Sequence, residues 1–103
     1  MIVNRQVYKV KAGCMEEAVA MLVALREQGP REQGPRTSRI YMSKFGPFAT
    51  VVLEIEHETL AEYEKMWAGW SASPEGLAAF KEKWDPLMAE GGPGVNEIWT
   101  LVE

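Results

Sequence analysis

Residues 37–57 constrain the fold of this chain most, because they contain its clearest β-hairpin. Two runs rich in β-branched and aromatic residues flank the tripeptide Phe45-Gly46-Pro47, where glycine and proline interrupt regular structure. The second run, residues 48–55, is the most apolar stretch of the sequence. We therefore expect it to form a central strand.

The composition is that of a folded soluble protein. A chain of 103 residues fits a single domain, residues 1–103, that can bury a modest core. Hydrophobic residues make up 47% and charged residues 25%, which is too apolar for a disordered chain. The net charge of -4, without a clustered basic surface, argues against nucleic acid as a partner.

The single cysteine, Cys14, cannot form an internal disulfide, and the sequence has no Cys/His spacing suited to zinc. The N-terminus lacks the basic and apolar regions of a secretory signal. No apolar run approaches the ~20 residues needed to span a bilayer. We expect a cytoplasmic protein with no membrane partner and no bound metal.

The first predicted strand, residues 2–10, alternates imperfectly, so both of its faces should be at least partly covered. Arg5 shares the parity of Val3 and Val7. A charged residue is out of place on a face covered by helices. We therefore expect Arg5 to point toward a second sheet or a polar cavity.

Helical spacing of apolar residues predicts a first helix from Cys14 to about Gln28, stopped by Gly29 and Pro30. The sequence REQGP at 26–30 is then repeated at 31–35. A surface loop absorbs added residues cheaply, because closure entropy grows only logarithmically with length. We interpret the repeat as a tolerated loop extension, with a functional flap as the alternative.

A second helix is predicted after Thr59, which has capping-box spacing with Glu62. Ser73-Pro74 is a good start for a third helix. Pro86 should bend or end that helix near Trp84. A last strand is expected over residues 95–102.

The order strand, helix, strand, strand, helix pair, strand predicts an α+β, ferredoxin-like βαββαβ subunit. Two right-handed crossovers then place the helices on one face of a four-stranded antiparallel sheet. The other face stays open and carries apolar side chains. Such a face is unlikely to remain wet in a monomer, so we expect a symmetric homodimer that packs sheet against sheet.

Four segments of the chain have a pattern and order known from one group of proteins: KAGCMEEAVAML, FATVVLEIEH, LAEYEKMWAGWSASPEGLAAFKEKW and the final VNEIWTLVE. On these segments the chain resembles the NIPSNAP-type branch of the dimeric α+β barrel superfamily. It implies two ferredoxin-like subunits that pair their sheets into an eight-stranded barrel, with a pocket between sheet and helices. Members of the superfamily include cofactor-free monooxygenases, lactone isomerases and haem-dependent chlorite dismutases, so the resemblance implies a fold more than an activity.

Candidate catalytic residues are few. His57, the only histidine, stands at the end of the central strand and could act as a base or as a haem ligand, although a lone histidine there is more often a capping or solvated residue. Tyr41 is a second candidate for the same pocket. We expect that ligand-binding aromatic residues, if the pocket exists, include Trp67, Phe80 and Trp84; the alternative is that these rings are only core.

Charged residues inside the strands are a further clue. Arg5, Glu54, Glu56 and Glu97 interrupt the apolar alternation. On adjacent antiparallel strands an arginine that faces a glutamate could form a bridge that specifies the dimer or lines the barrel; the alternative is a carboxylate that acts as a general base beside an aromatic ligand. Cys14 has no partner of its own in the sequence and is interpreted as an inert small residue.

The leading hypothesis is a homodimeric small-molecule-binding protein or cofactor-independent enzyme, monooxygenase-like or isomerase-like, acting on a hydrophobic and possibly aromatic compound. One alternative is a non-catalytic dimeric structural or interaction domain. A third reading is haem binding through His57.

Overall fold

The computed structural model describes residues 1–28, 38–43, 48–71, 74–89 and 94–102. Within these ranges the chain forms four strands, three α-helices and one short 3₁₀ turn, Asp85–Leu87. In chain order the strands and helices are β1 (Ile2–Lys9), α1 (Met15–Gln28), β2 (Ser38–Met42), β3 (Thr50–His57), α2 (Leu60–Ser71), α3 (Pro74–Trp84) and β4 (Val95–Thr100). No helix in the described part of the chain is long and apolar enough to cross a membrane.

The strands form one antiparallel sheet in the order β2-β3-β1-β4. Each of the two crossovers, β1-α1-β2 and β3-α2-α3-β4, skips over one intervening strand. This is the predicted βαββαβ topology, and the predicted α+β fold class is confirmed. The apolar run around residue 52 lies in β3, which is internal, as expected.

The core lies between the helices and one face of the sheet. Side chains of alternate residues on β3, such as Val51 and Leu53, pack there against α1, α3 and the 3₁₀ turn. The buried residues of this cluster are Val10, Ala18, Leu22, Val51, Leu53, Trp84, Leu87 and Met88. Because every helix contacts this face, we call it the helix side; the opposite face of the sheet is called the open face.

The local signals around α2 and α3 act nearly as predicted. Thr59 Oγ1 accepts the backbone N–H of Glu62 at 3.2 Å, but the Glu62 carboxylate accepts the backbone N–H of Glu58, also at 3.2 Å, and not that of Thr59. The second hydrogen bond of the capping box, from a backbone N–H to the Glu62 carboxylate, is therefore shifted by one residue, from Thr59 to Glu58. Helix α3 ends at Trp84, and Pro86 lies in the following 3₁₀ turn, as its missing N–H requires.

The hairpin differs from the prediction at its second strand. β3 begins at Thr50, whereas Phe48 lies in a turn and is 85% exposed. Ala49 has a positive φ of 47°, which is outside the β region, so regular strand pairing begins only after it, at Thr50. Phe48 is therefore not part of the apolar core that its neighbours suggested.

Several expectations fall outside the described residues. These are the hairpin tip at Phe45-Gly46-Pro47, the repeat at 31–35 and the proposed helix cap Ser73. The last strand lies within the described part and ends at Thr100, two residues earlier than predicted.

Candidate functional site

The residues proposed from the sequence are divided between the two faces of the sheet. His57 lies on the helix side, since it has the parity of Val51 and Leu53 on β3. Tyr41 pairs with Val52 and therefore lies on the open face. The expectation that Tyr41 and His57 line one pocket is thus not met, because Val52 and His57 are five positions apart on the strand, an odd offset that places them on opposite faces.

The other candidates divide in the same way. Phe80, Trp84 and Trp67 belong to the helices and share the helix side with His57. Arg5 and Glu54 face each other across β1 and β3 on the open face. The structure therefore contains two separate groups of candidate residues.

A chain of hydrogen-bonded side chains crosses the helix side of β1 and β4. Tyr8 Oη donates to Gln6 Oε1 at 2.6 Å, and Gln6 Nε2 donates to Asn4 Oδ1 at 2.9 Å. Asn4 Nδ2 donates to Asn96 Oδ1 at 2.6 Å, and Asn96 Nδ2 donates to Tyr63 Oη at 3.1 Å. We call the three residues between the two tyrosines, Gln6, Asn4 and Asn96, the amide chain.

The amide chain is anchored to the backbone. Asn4 Nδ2 also donates to the backbone carbonyl of Glu97 at 3.1 Å. Asn4 is fully buried, so both hydrogen bonds of its amide nitrogen replace contacts with water. The result is a fixed row of polar groups beneath the helices of a small domain.

Aromatic rings flank both ends of this chain. At one end the ring of Tyr8 packs edge-on against Trp84 at 5.1 Å, and Phe80 stacks on Trp84 at 5.4 Å. At the other end Tyr63 contacts His57 edge-on at 5.6 Å and Trp67 at 6.4 Å. The polar chain therefore runs between two aromatic clusters.

The helices leave β4 uncovered on this side. Val51, Leu53 and His57 on β3 are buried, whereas the residues of β4 that share their face are exposed. Ile98, for example, is 46% exposed. We call this surface the β4 shelf; its residues are Asn96, Ile98 and Thr100.

The β4 shelf adjoins the aromatic cluster of α2. Asn96 contacts the Tyr63 hydroxyl, and Trp67, which packs on the Tyr63 ring, is 38% exposed. His57 is only 3% exposed, and its ring contacts that of Tyr63, which is 8% exposed. Among these three rings, Trp67 is therefore the one with substantial exposed surface.

Tyr8 is held from two sides. Opposite Trp84, the backbone at Gly94 approaches the Tyr8 ring so closely that a Cβ at this position would overlap it. Burial raises the pKa of the Tyr8 hydroxyl from its ordinary value of 10.0. The hydroxyl therefore stays protonated near neutral pH and serves as a stable donor to Gln6.

The open face carries a row of charges that alternates in sign across all four strands. Arg39 pairs with Glu54, Glu54 with Arg5, and Arg5 with Glu97. Apolar side chains of the same face, including Val3, Val7, Val52 and Trp99, lie on either side of this row. We call it the charge row; it places Arg5 away from the helices, as the sequence predicted.

One further ion pair lies beside the charge row. Arg39 Nη1 donates to Glu56 Oε1 at 2.8 Å. The hydrogen bond to Glu56 raises the pKa of Arg39, and the Coulomb attraction of the same carboxylate adds to it. This side of the face is therefore organised by contacts within the subunit.

The described residues offer little for a metal. No group of three or more His, Cys, Asp or Glu side chains within them is placed to hold a metal ion. Haem ligation by His57 would require Tyr63 to move, because its ring lies against the imidazole. Cys14 is a free, half-buried thiol just before α1.

The amide chain was not predicted from the sequence. Asn4 and Gln6 share one face of β1 with Ile2 and Tyr8. Two amides on the even positions, on an otherwise apolar face, were the available signal. Asn96 and Tyr63 could not be linked to them without the strand register.

Comparisons with known proteins support the fold. No protein-family model matches the chain, and no curated protein matches it significantly. Among solved structures, a NIPSNAP-like domain protein from Burkholderia xenovorans is similar at 20% identity and a TM-score of 0.77, covering 98% of this chain and 84% of that one.

Two further solved structures illustrate the range of similar proteins. A NIPSNAP family protein from Agrobacterium tumefaciens is 19% identical with a TM-score of 0.74, over 99% of this chain and 93% of that one. A protein from Nitrosomonas europaea assigned to antibiotic biosynthesis monooxygenases is 17% identical with a TM-score of 0.72, over the full length of both chains. The fold expected from the resemblance is thereby confirmed.

Proposed function

We propose that this protein binds a small, flat, aromatic compound on the helix side, beside the β4 shelf. The observation that carries the proposal is the amide chain, which joins the hydroxyls of Tyr8 and Tyr63 between two aromatic clusters. Ligand sites typically combine apolar walls with a few placed polar groups. The shelf and the rings of Tyr63 and Trp67 supply both.

The energetics of the chain support a role beyond stability. Burying amides gains little net free energy, because each hydrogen bond replaces one made to water. Apolar side chains of similar size would fill the space beneath the helices of a small domain without the free-energy cost of any polar group left unpaired. A complete row of five hydrogen-bonded side chains is therefore better explained by the polar groups that it offers to a ligand than by a contribution to stability.

Within this proposal the residues have different roles. Trp67 and Tyr63 provide the wall next to the shelf, and Phe80 with Trp84 holds the Tyr8 end in place. His57 is nearly fully buried, so a proton-transfer role for it would require the site to open, and its ring contact with Tyr63 is the link to this site. Arg5, Glu54 and Tyr41 lie on the open face and take no part in this site.

Catalysis without a cofactor, of the monooxygenase or isomerase type, is the finer hypothesis. Its monooxygenase form is supported by the fold similarity to the Nitrosomonas europaea protein, which is described as an antibiotic biosynthesis monooxygenase. Oxygen uptake on addition of an aromatic ligand would distinguish an enzyme from a binding protein. Haem binding is the least favoured reading; addition of hemin should produce no Soret band of a ligated haem.

A titration with tetralin, followed by ¹H–¹⁵N correlation spectra, tests binding. We expect saturable shifts at Asn96, Ile98 and the indole of Trp67. Trp67→Ala should weaken binding by about tenfold, since an aromatic contact contributes ~1 kcal/mol or more. Phe48→Ala removes an exposed ring far from the shelf and should leave the affinity unchanged.

A lack of saturable binding would reject this function. It would favour the alternative of a structural or interaction domain whose aromatic residues serve packing.

We also propose that the protein is a cytoplasmic homodimer that pairs open face to open face. A two-fold axis brings the same patch of both subunits together, so the patch must complement itself. The charge row does so. When a two-fold axis reverses the order of its residues in the second subunit, each arginine of one row faces a glutamate of the other. The neighbouring apolar residues Val3, Val7 and Trp99 would be buried in the same contact.

Sedimentation velocity at micromolar concentration tests the dimer. Arg5→Glu would place three carboxylates side by side in the charge row and should shift the protein to a monomer. Lys65→Glu, the same charge reversal on the exposed surface of α2, should remain dimeric. A monomeric, folded wild-type protein would overturn this part of the proposal.

A further inference from the structure

The direction of the amide chain fixes which hydrogen-bonding group the site offers to a ligand. An amide side chain can present either its oxygen or its nitrogen to a neighbour, so a row of amides could in principle run in either direction. A backbone carbonyl can only accept. The carbonyl of Glu97 therefore forces Asn4 to turn its nitrogen toward β4.

Every other orientation follows from that one contact. With the Asn4 nitrogen toward β4, Asn96 must turn its oxygen to Asn4 and its nitrogen to the Tyr63 hydroxyl. The Asn4 oxygen faces Gln6, whose own oxygen then accepts from Tyr8. The chain is thus polarised along its whole length, from donor at Tyr8 to acceptor at Tyr63.

The two tyrosines are consequently left in opposite states. The Tyr8 hydroxyl donates its proton to Gln6 and keeps its lone pairs. The Tyr63 hydroxyl accepts a hydrogen bond from Asn96, so its own proton can still be donated. Within the described residues, the Tyr63 hydroxyl donates to no other side chain or backbone group. Amide groups do not pass protons along, so the chain orients these hydroxyls and does not relay protons between them.

We infer that the helix-side site selects aromatic compounds carrying a hydrogen-bond acceptor, such as a ring ketone, which receives the proton of Tyr63. This inference rests on the proposed binding function and adds the chemical class of the ligand. Tyr63 itself is only 8% exposed, and the exposed Asn96 that contacts its hydroxyl marks the side from which such an oxygen would approach. A compound that can only donate at this point would meet a donor and be disfavoured.

Comparing two ligands of equal shape tests the inference. 1-Tetralone and tetralin share their ring system, but only the ketone has an acceptor. We expect the wild-type protein to prefer the ketone by about three- to tenfold, the range of one neutral hydrogen bond. Tyr63→Phe should abolish this preference, because it removes the hydroxyl that donates to the ketone.

Asn96→Asp is the sharper variant, because it reverses the polarity without changing the shape of the side chain. Both carboxylate oxygens accept, so one would take the Asn4 nitrogen and the other the Tyr63 proton. The preference for the ketone should disappear in Asn96→Asp, and Ala24→Asp, which adds the same charge on exposed α1, should retain it. An unchanged ketone preference in Asn96→Asp would overturn the inference.

A measurement without any ligand separates this inference from the binding proposal. If Asn96 donates to Tyr63, then Tyr63→Phe must shift a side-chain amide proton of Asn96 upfield in the ¹H–¹⁵N spectrum. An unmoved amide proton would refute the polarity even if tetralin binds. Failure of both ring compounds to bind, with the amide proton shifted, would refute the ligand class and the proposed function but not the polarity.

Discussion

The backbone of Gly94 lies against the ring of Tyr8, at the point where the chain enters β4. A Cβ added at residue 94 would overlap two atoms of that ring and would lie 2.9 Å from the backbone oxygen of Val7. Trp84 packs on Tyr8 at 5.1 Å, so the ring has little room to move away. This contact joins the start of β4 to the Tyr8 end of the amide chain.

Gly94→Ala should therefore destabilise the protein by about 1–3 kcal/mol, the usual cost of overpacking. Urea denaturation measures the change. Gly69→Ala is the matched control, because a Cβ there meets nothing within 4 Å and should stabilise α2 by about 0.5–1 kcal/mol. In a Tyr8→Ala background the cost of Gly94→Ala should fall, and only the contact with the Val7 backbone oxygen would remain; an undiminished cost would mean that the ring is not its cause.

Asn4 and Asn96 should respond differently to truncation. Asn4→Ala removes a fully buried amide and leaves its hydrogen-bond partners unpaired. We therefore expect a loss of about 1–3 kcal/mol in the free energy of unfolding. Asn96 is exposed, and water can replace its contacts, so Asn96→Ala should cost only about 0.5 kcal/mol. Equal losses in chemical denaturation would contradict the burial that the structure assigns to Asn4.

The cap of α2 provides an independent check of local structure. Thr59→Ala removes the acceptor for the Glu62 N–H and should lower the stability by about 1 kcal/mol. Thr59→Ser keeps the hydroxyl and should remain close to wild type in thermal unfolding. If serine fails to preserve stability, the methyl group of Thr59, and not its oxygen, is what matters.

Tyr8 should make the protein sensitive to alkali. Its pKa is raised in the folded state by burial, so folding holds the proton more tightly than the unfolded chain does. Its contribution is complete below the unfolded value near 10 and is lost as the pH rises through the higher folded value. Melting temperatures measured from pH 9 to 11 should fall more steeply for the wild type than for Tyr8→Phe, and parallel curves would refute this.

How far the sequence predicts the structure depends on the range of the signal involved. The alternation of β3, the end of α3 before Pro86 and the placement of Arg5 on the open face follow from local pattern, because period and backbone chemistry act within a few residues. Phe48 was misjudged, since an apolar residue beside an apolar strand looks the same whether it continues the strand or lies in the turn before it.

The site was harder to foresee than the fold. Tyr41 and His57 looked like partners because parity across a hairpin depends on the register, which single residues do not reveal. Asn4 and Asn96 are 92 residues apart in sequence and meet only because β4 pairs with β1. No local pattern contains that contact.

Residue 97 acts on both sides of the sheet through different parts of one amino acid. Its carboxylate belongs to the charge row, whereas its carbonyl orients Asn4 and all that follows from it. Since every amino acid has that carbonyl, replacing the side chain at this position leaves the orienting group in place. Under the proposed dimer and ligand site, a substitution at residue 97 would therefore change the contact between subunits and leave the ligand preference unaltered.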